Sequence, residues 1–186
     1  MLILASGSPR RRELLTAAGI AFTVHPADVP EIQQPGEPPE TFALRVAREK
    51  ALAVAVLRPG SFVLAADTIV VVDNTVLGKP KDAADAARML RMLSAREHAV
   101  TTGVCLIRPD GRQSNEVATT IVRFDPLTEA DIAGYVASGE PMDKAGAYAI
   151  QGLAARWIPE VRGEYANVVG LPVARVWAML RAAGAI

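Results

Sequence analysis

The chain has 186 residues, 51% of them hydrophobic, and its 20 basic side chains balance its 20 acidic ones. This length and composition predict one domain over residues 1–186 with a full apolar core, and zero net charge argues against general affinity for nucleic acid or anionic membranes. One cysteine and two histidines exclude a disulfide framework and argue against a Cys/His zinc site, while the lack of a signal peptide or of a membrane-spanning apolar stretch favours the cytoplasm.

The first predicted elements form an anion site. Met1–Ala5 is an apolar run that predicts a buried strand, residues 6–8 predict a loop of small residues, and a helix is expected over about 9–18. Three consecutive arginines occupy its first turn, where the helix dipole disfavours each cation by roughly 0.3–1 kcal/mol. A strand, a small-residue loop and a cationic helix start together predict a phosphate-binding site. The alternative is a solvated basic patch, and the residues alone do not separate the two.

The next segment predicts a lysine that faces the core. Residues 20–25 predict a strand, and residues 26–39 predict a loop whose five prolines and length suit the rim or lid of a cleft. A long helix follows, over about 39–57, and Lys50 falls in the middle of its apolar stripe. An inward lysine is costly unless it meets an anion. The alternative is a side chain that reaches solvent from the edge of the core.

A carboxylate interrupts the most apolar predicted strand. Phe62–Val72 is an aliphatic run, typical of a central strand covered on both faces, and Asp67-Thr68 breaks it. An acid inside such a run is expected to be paired, bound to metal or placed at an open strand end. A short returning strand at Val76-Leu77 leads to the loop Gly78-Lys79-Pro80-Lys81, which offers two more cations. Surface loops often have this composition, so the loop alone is weak evidence.

The rest of the chain alternates helices and strands. The predicted elements are a helix over 83–93, an antiparallel hairpin of strands over 98–108 and 113–124, a helix over 129–138, a strand over 154–162, and a last helix from 172 that packs Trp177 inward. Residues 139–152 form a loop in which glycines and small residues alternate with polar side chains such as Gln151. This composition brings polar groups close to the backbone, so the loop suits contact with a ligand.

Four motifs together resemble one family. They are Ala5-Ser-Gly-Ser-Pro-Arg-Arg11, Ala66-Asp67-Thr68 with Leu77-Gly-Lys-Pro80, Asp143-Lys-Ala-Gly-Ala-Tyr148 running into Ile150-Gln-Gly152, and Asn167-Val-Val-Gly-Leu-Pro172. With these motifs the chain resembles the Maf-family nucleoside triphosphate pyrophosphatases over nearly its whole length. The motifs are specific in combination, although none of them would be alone.

The resemblance implies a fold and a reaction. The implied fold is α/β and similar to that of inosine triphosphate pyrophosphatases, with a mixed, strongly bent central sheet flanked by helices and two lobes around a deep cleft. The implied reaction is hydrolysis of a nucleoside triphosphate to the monophosphate and pyrophosphate with a divalent metal cation, Mg²⁺ or Mn²⁺. A homodimer is a further expectation from the family.

The motifs also favour one branch of that family. The pair Arg10-Arg11 and Lys144, within the Asp-Lys-Ala-Gly-Ala-Tyr motif, resemble the branch that acts on dTTP and UTP rather than the branch that acts on 7-methyl-GTP. This implies a house-cleaning role against non-standard or modified pyrimidine nucleotides. The alternatives are a 7-methyl-GTP type of pyrophosphatase and a nucleotide-sensing regulator of cell division without catalysis.

Site residues follow from the resemblance position by position. The catalytic acid falls on Asp67, and the catalytic cations fall on Lys50 and Lys79. The substrate-binding positions are Ser6, Ser8, Arg10, Arg11, Thr68 and Gln151, of which Arg11, Thr68 and Gln151 would select the substrate. Metal binding falls on Glu31 and Asp67. The chain departs from the family's pattern at Pro30, where an acidic pair is common, and at Ala149, which replaces a common glycine.

A bound nucleoside triphosphate would account for the charged residues that interrupt apolar patterns or occupy the first turn of a helix. Its roughly four negative charges need positioned cations, and a neutral protein that gathers its cations locally attracts a polyphosphate without binding polyanions everywhere. Mg²⁺ and Mn²⁺ prefer oxygen ligands and take one or two protein carboxylates beside phosphates and waters. Asp67 is either the general base for the attacking water or a metal ligand only, and the sequence leaves both roles open.

Overall fold

The computed structural model describes all residues from Met1 to Ile186. The helices are α1 (Pro9–Ala17), α2 (Pro39–Leu57), α3 (Ala83–Leu93), α4 (Glu129–Ala137), α5 (Tyr165–Val169) and α6 (Val173–Ala183), and short 3₁₀ helices cover Glu140–Asp143, Ala145–Ala147 and Leu153–Trp157. The strands are β1 (Leu2–Leu4), β2 (Thr23–Val24), β3 (Phe62–Val72), β4 (Thr75–Leu77), β5 (Glu97–Ile107), β6 (Gln113–Arg123) and β7 (Glu160–Arg162). No helix combines the length and the hydropathy needed to cross a membrane.

All seven strands belong to one mixed sheet. Its order is β2-β1-β3-β5-β6-β7, and β4 pairs with β3 outside this path. β1 runs parallel to both β2 and β3, with Leu4 opposite Leu64, whereas β4 and β7 run antiparallel to β3 and β6. This confirms the predicted mixed α/β class. The strong bend and the cleft between two lobes stay predictions, as does the single domain over residues 1–186.

The chain divides into two compact units. Unit 1 contains Met1–Thr68, Thr102–Ala118 and Gly170–Ile186, and unit 2 contains Ile69–Thr101 and Thr119–Val169. In unit 1 successive side chains of β1 point to opposite faces of the sheet. Leu4 packs with Leu15 of α1 and Leu180 of α6 on one face, and Ile3 packs with Ala51 of α2 on the other. Apolar cover on both faces explains why β1 is an uninterrupted aliphatic run.

A glycine lets α2 lie directly against the sheet. A Cβ atom added at Gly103 of β5 would lie 2.5 Å from backbone atoms of Ala43 and Leu44, so only glycine permits this approach. We expect Gly103→Ala to lower the free energy of unfolding by about 1–3 kcal/mol, because the backbone of α2 would have to move. Urea denaturation measures this change.

Gly134 provides the matched control for that substitution. It lies inside α4 with no atom within 4 Å of an added Cβ. Gly134→Ala should therefore raise the free energy of unfolding by about 0.5–1 kcal/mol through helix propensity. A Gly103→Ala protein as stable as the wild type would contradict the close approach of α2.

Unit 2 contains a buried histidine among aromatic rings. His98 is 3% exposed, its ring meets the rings of Phe124 and Tyr148 edge to face, and its Nε2 lies 2.7 Å from the Tyr148 hydroxyl. Its Nδ1 has no hydrogen-bond partner. Desolvation by burial lowers the pKa of His98 to about 4, so the folded protein holds this ring neutral.

The neutral ring predicts a loss of stability in mild acid. The unfolded histidine takes a proton below about pH 6.5, whereas the folded one does so only near pH 4, so stability falls as pH decreases between these values. The free energy of unfolding should be about 2 kcal/mol lower at pH 5 than at pH 7.5 on account of this residue. Urea titrations of wild type and His98→Gln at both pH values measure the contribution. An unchanged pH dependence in the variant would assign it to other groups.

Three local predictions were wrong. The strand predicted over 154–162 is a 3₁₀ helix over Leu153–Trp157 followed by the short β7, because only Glu160–Arg162 has a partner strand in β6. The strand predicted over 20–25 shrinks to Thr23–Val24, which pairs with the last two residues of the short β1. Trp177 is 43% exposed, because it lies about 100° around α6 from the buried Val176.

Candidate functional site

Lys50 is buried between two carboxylates of unit 1. It lies on the apolar face of α2 and is only 7% exposed, so the alternative of a side chain that reaches solvent is wrong. Its Nζ lies 2.7 Å from Asp67 Oδ1 and 2.6 Å from Glu31 Oε1. Lys50, which interrupts the apolar stripe of α2, therefore pairs with Asp67, which interrupts the aliphatic run of β3.

Asp67 lies in the middle of β3 and is 5% exposed. Burial raises the pKa of Asp67, and the nearby positive charges of Lys50 and Arg11 oppose that shift. Glu31 adds a smaller upward contribution because it brings a second negative charge. A carboxylate with a raised pKa is a better proton acceptor than an ordinary aspartate, provided that Lys50 keeps it ionised at neutral pH.

Arg11 is buried in unit 1, where only neutral oxygens accept its hydrogen bonds. Its Nε donates to Gly170 O at 2.9 Å, one terminal nitrogen donates to Ser6 Oγ at 3.1 Å, and the other donates to Thr68 Oγ1 at 3.1 Å. Burial lowers the pKa of Arg11, although a guanidinium stays charged in proteins. Three of its five N–H groups are used in these hydrogen bonds, which leaves two. The solvated-patch alternative is therefore wrong for this arginine.

The hydroxyl of Thr68 helps to hold the Arg11 guanidinium, and the directions of its hydrogen bonds are fixed. Thr68 Oγ1 accepts from Arg11 and donates to Gly170 O at 3.2 Å, so its single proton is committed. Its third neighbour, Thr102 Oγ1 at 2.9 Å, must then donate to it. Gly170 has φ +133°, a conformation that L side chains rarely adopt, and this backbone turns its carbonyl oxygen toward Arg11. Sequence reasoning missed the role of the buried Thr102, because a threonine in a strand gives no signal.

The small-residue loop before α1 contains two serines whose side chains have different surroundings. Ser6 is buried, and its Oγ accepts from the backbone N–H of Ser8 at 3.2 Å as well as from Arg11. Ser8 occupies the N-cap position of α1 and Pro9 follows it at the start of the helix, but the Ser8 side chain makes no capping hydrogen bond. Arg10 is half-buried, and its positive charge contributes to the lowered pKa of Arg11.

The loop over 26–39 is tied to α2 by an arginine that the sequence analysis did not select. Arg45 donates to both carboxylate oxygens of Glu37, at 2.7 and 2.8 Å, and to Ile32 O at 2.9 Å. Hydrogen bonds from Arg45 lower the pKa of Glu37 to about 2. The loop that carries Glu31 is thereby fastened to α2 at Arg45, five residues before Lys50.

Lys79 and Gln151 belong to unit 2, whereas the other candidate residues belong to unit 1. Both side chains are exposed. The Gly78 carbonyl, next to Lys79, accepts from the N–H of Gly146, where φ is +70° and an added Cβ would lie 2.8 Å from Val70.

Asn167, from the fourth motif, is fully buried in unit 2. Its side chain donates to Val100 O and Thr120 Oγ1, so it joins elements of the core.

The chain offers oxygen ligands for a metal, but few of them. No group of three or more histidine, cysteine, aspartate or glutamate side chains gathers in one place. Glu31 and Asp67 both direct a carboxylate oxygen to the position of the Lys50 ammonium. Two carboxylates fit Mg²⁺ or Mn²⁺ when phosphates and waters complete the ligand set, and the departure at Pro30 leaves this pair without a third acid.

Comparisons with known proteins agree on the family and on the fold. The family model described as Maf-like protein matches residues 1–183. The dTTP/UTP pyrophosphatase of Koribacter versatilis (strain Ellin345) is 56% identical over 185 residues, which are 100% of this chain and 95% of that protein. The dTTP/UTP pyrophosphatase of Anaeromyxobacter dehalogenans (strain 2CP-C) is 56% identical over 186 residues, with 98% and 94% covered. The solved HAM1 protein from Coxiella burnetii is similar in fold alone, with a TM-score of 0.50, 17% identity and 98% of each chain covered.

Proposed function

Because the chain belongs to the Maf family, we propose that it hydrolyses dTTP and UTP to the monophosphate and pyrophosphate. The observation that carries this proposal is the buried Lys50–Asp67 pair inside an apolar strand and helix, close to the buried guanidinium of Arg11. Burying three charged groups is costly even when two of them pair, and a charged ligand would offset part of that cost. The names of the two relatives supply the substrate class.

In this reaction Asp67 takes the proton of the attacking water. Its raised pKa and its position in a rigid strand suit a general base. Lys50, which neutralises Asp67 in the free protein, stabilises the negative charge that develops on the phosphates. When bound by Glu31 and Asp67, a divalent cation such as Mg²⁺ or Mn²⁺ would supply further neutralisation of phosphate charge. Since the Lys50 ammonium lies at the same two carboxylates, it would compete with that cation for them.

The remaining residues bind and select the substrate. Ser6, Ser8 and Arg10 surround the start of α1, where backbone N–H groups and cations favour phosphate. Arg11 has two N–H groups left for an acceptor on the base, and Thr68 fixes the guanidinium that presents them. Lys79 for phosphate and Gln151 for the base edge are proposals that rest on the resemblance, since an amide offers a donor and an acceptor side by side.

The cellular role follows from the substrate class. We infer removal of non-standard or modified pyrimidine nucleotides in the cytoplasm, by an enzyme that forms a homodimer. No nucleic acid or membrane is needed as a partner, because the positive charges are local and the chain has no net charge.

A nucleotide panel with pyrophosphate release as the readout tests the proposal. UTP, dTTP, CTP, 5-methyl-UTP, pseudo-UTP and 7-methyl-GTP are each incubated with the protein and Mg²⁺ or Mn²⁺. We expect turnover of UTP and dTTP, slightly slower turnover of the modified uridine nucleotides, and little turnover of CTP and 7-methyl-GTP. Preference for 7-methyl-GTP would assign the other branch, and tight UTP binding without pyrophosphate release would favour a nucleotide-sensing regulator.

A further inference from the structure

We propose that Tyr135 and Glu140 are positioning residues that hold the segment carrying Gln151 in shape for reading the base. This inference rests on the proposed function, because Gln151 selects the base only if the chain acts on pyrimidine nucleotides. All the residues concerned lie in unit 2. Neither Tyr135 nor Glu140 belongs to the motifs that assign site residues.

Tyr135 fixes the chain two residues before Gln151. Its side chain is fully buried in α4, and its ring meets the ring of Trp157 edge to face with 5.5 Å between centroids. Its hydroxyl oxygen accepts the backbone N–H of Ala149 at 3.1 Å. The single hydroxyl proton is then donated to Glu140 Oε1 at 2.8 Å. A buried and rigid ring therefore holds one end of the segment.

Glu140 fixes the chain two residues after Gln151. Its two carboxylate oxygens accept the backbone N–H of Leu153, at 3.1 and 3.2 Å. The carboxylate lies directly against the backbone of Gly152, where an added Cβ would be 2.3 Å from Glu140 Oε1. Only glycine permits this approach, so the Ile150-Gln-Gly152 motif has a structural reason for its last residue.

The two contacts form one connected hydrogen-bond network around Gln151. Ala149 N–H, the Tyr135 hydroxyl, the Glu140 carboxylate and Leu153 N–H follow one another, so both ends of a five-residue segment are fastened to the same pair of side chains. The exposed Gln151 side chain projects from a backbone that is already ordered. A base that binds its amide would then bear little of the cost of ordering the loop.

Removing the network should weaken base selection more than the chemical step. Tyr135→Phe keeps the ring but removes the acceptor for Ala149 and the donor for Glu140, and Glu140→Ala removes the acceptors for Leu153. We expect each variant to raise KM for UTP about tenfold with kcat within about twofold of wild type, and to reduce the preference for UTP over CTP about tenfold. Glu140→Gln keeps an oxygen acceptor and should retain most of the preference. Tyr165→Phe, at a half-exposed tyrosine of α5, should change neither value.

Two comparisons make the outcome decisive. Gln151→Ala is measured beside these variants, and amide hydrogen exchange at Ala149 and Leu153 reports the segment itself in folded protein. Faster exchange at these amides together with lost UTP preference supports the proposal. Loss of preference in Gln151→Ala but not in Tyr135→Phe or Glu140→Ala overturns the positioning role and leaves the proposed function intact. An unchanged preference in Gln151→Ala overturns base reading by this segment, and pyrophosphate release from UTP still tests the proposed function separately.

Discussion

Replacing Asp67 by asparagine is expected to lower kcat for UTP hydrolysis by about 10³-fold, while UTP still binds. The substitution keeps the size of the side chain and its place in β3, but an amide accepts no proton from water. Lys50 loses one of its two anionic partners and keeps Glu31, so its ammonium remains available to the phosphates. Pyrophosphate release measures the rate, and calorimetric titration with a non-hydrolysable UTP analogue measures the binding.

The role of Asp67 as base or as metal ligand can be separated with Glu31. If Asp67 were a ligand only, high Mn²⁺ concentrations would restore turnover to Asp67→Asn, as we expect them to do for Glu31→Gln. A general base leaves kcat low at every metal concentration. Asp73→Asn makes the same chemical change in the exposed turn after β3, where the carboxylate pairs with Arg96, and should have wild-type activity. Near wild-type turnover by Asp67→Asn already at low Mn²⁺ concentration would exclude both roles.

The residues that could be found from the sequence are those that contradict their local pattern. Lys50 interrupts a helical apolar stripe and Asp67 interrupts an aliphatic strand. Each stands out in the sequence because burial of its charge costs free energy. Their pairing at 2.7 Å could be expected, because an inward cation and an inward anion stabilise each other. The three long strands and four of the helices also followed from periodicity, since each of those helices has a buried apolar face.

The residues that could not be found are those that follow their local pattern. Thr102 is an ordinary strand residue, and Arg45 and Glu140 are ordinary charges of a helix surface and a loop. Their partners depend on distances in space, because Thr102 meets a residue 34 positions away and Glu140 meets Leu153, 13 positions away. The error at 154–162 has a similar origin: apolar residues of mixed spacing suit a strand or a 3₁₀ helix, and the partner strand decides.

Replacing Lys50 by methionine is the second substitution with a large expected effect. Methionine keeps the length and the apolar stem but removes the ammonium that neutralises Asp67 and meets the phosphates, so kcat/KM for UTP should fall by about 10²–10³-fold. The pKa of Asp67 should rise further, since burial raises it and Lys50 opposes that shift. Arg48→Met is the matched control, because Arg48 lies on the exposed face of α2 and should tolerate the change.

Lys50→Met also separates two roles of the same ammonium. In the free protein it occupies the position between Glu31 and Asp67 that a divalent cation would need. Calorimetric titration with Mn²⁺ in the absence of nucleotide should therefore show tighter binding to Lys50→Met than to the wild type, although the variant is the poorer enzyme. Asp67→Asn should bind Mn²⁺ more weakly than either, because one ligand is lost. If Mn²⁺ binds the wild type and Lys50→Met equally, the two carboxylates that hold Lys50 do not form the metal site. The loss of kcat/KM is then due to the missing phosphate contact and the raised pKa of Asp67 rather than to altered metal binding.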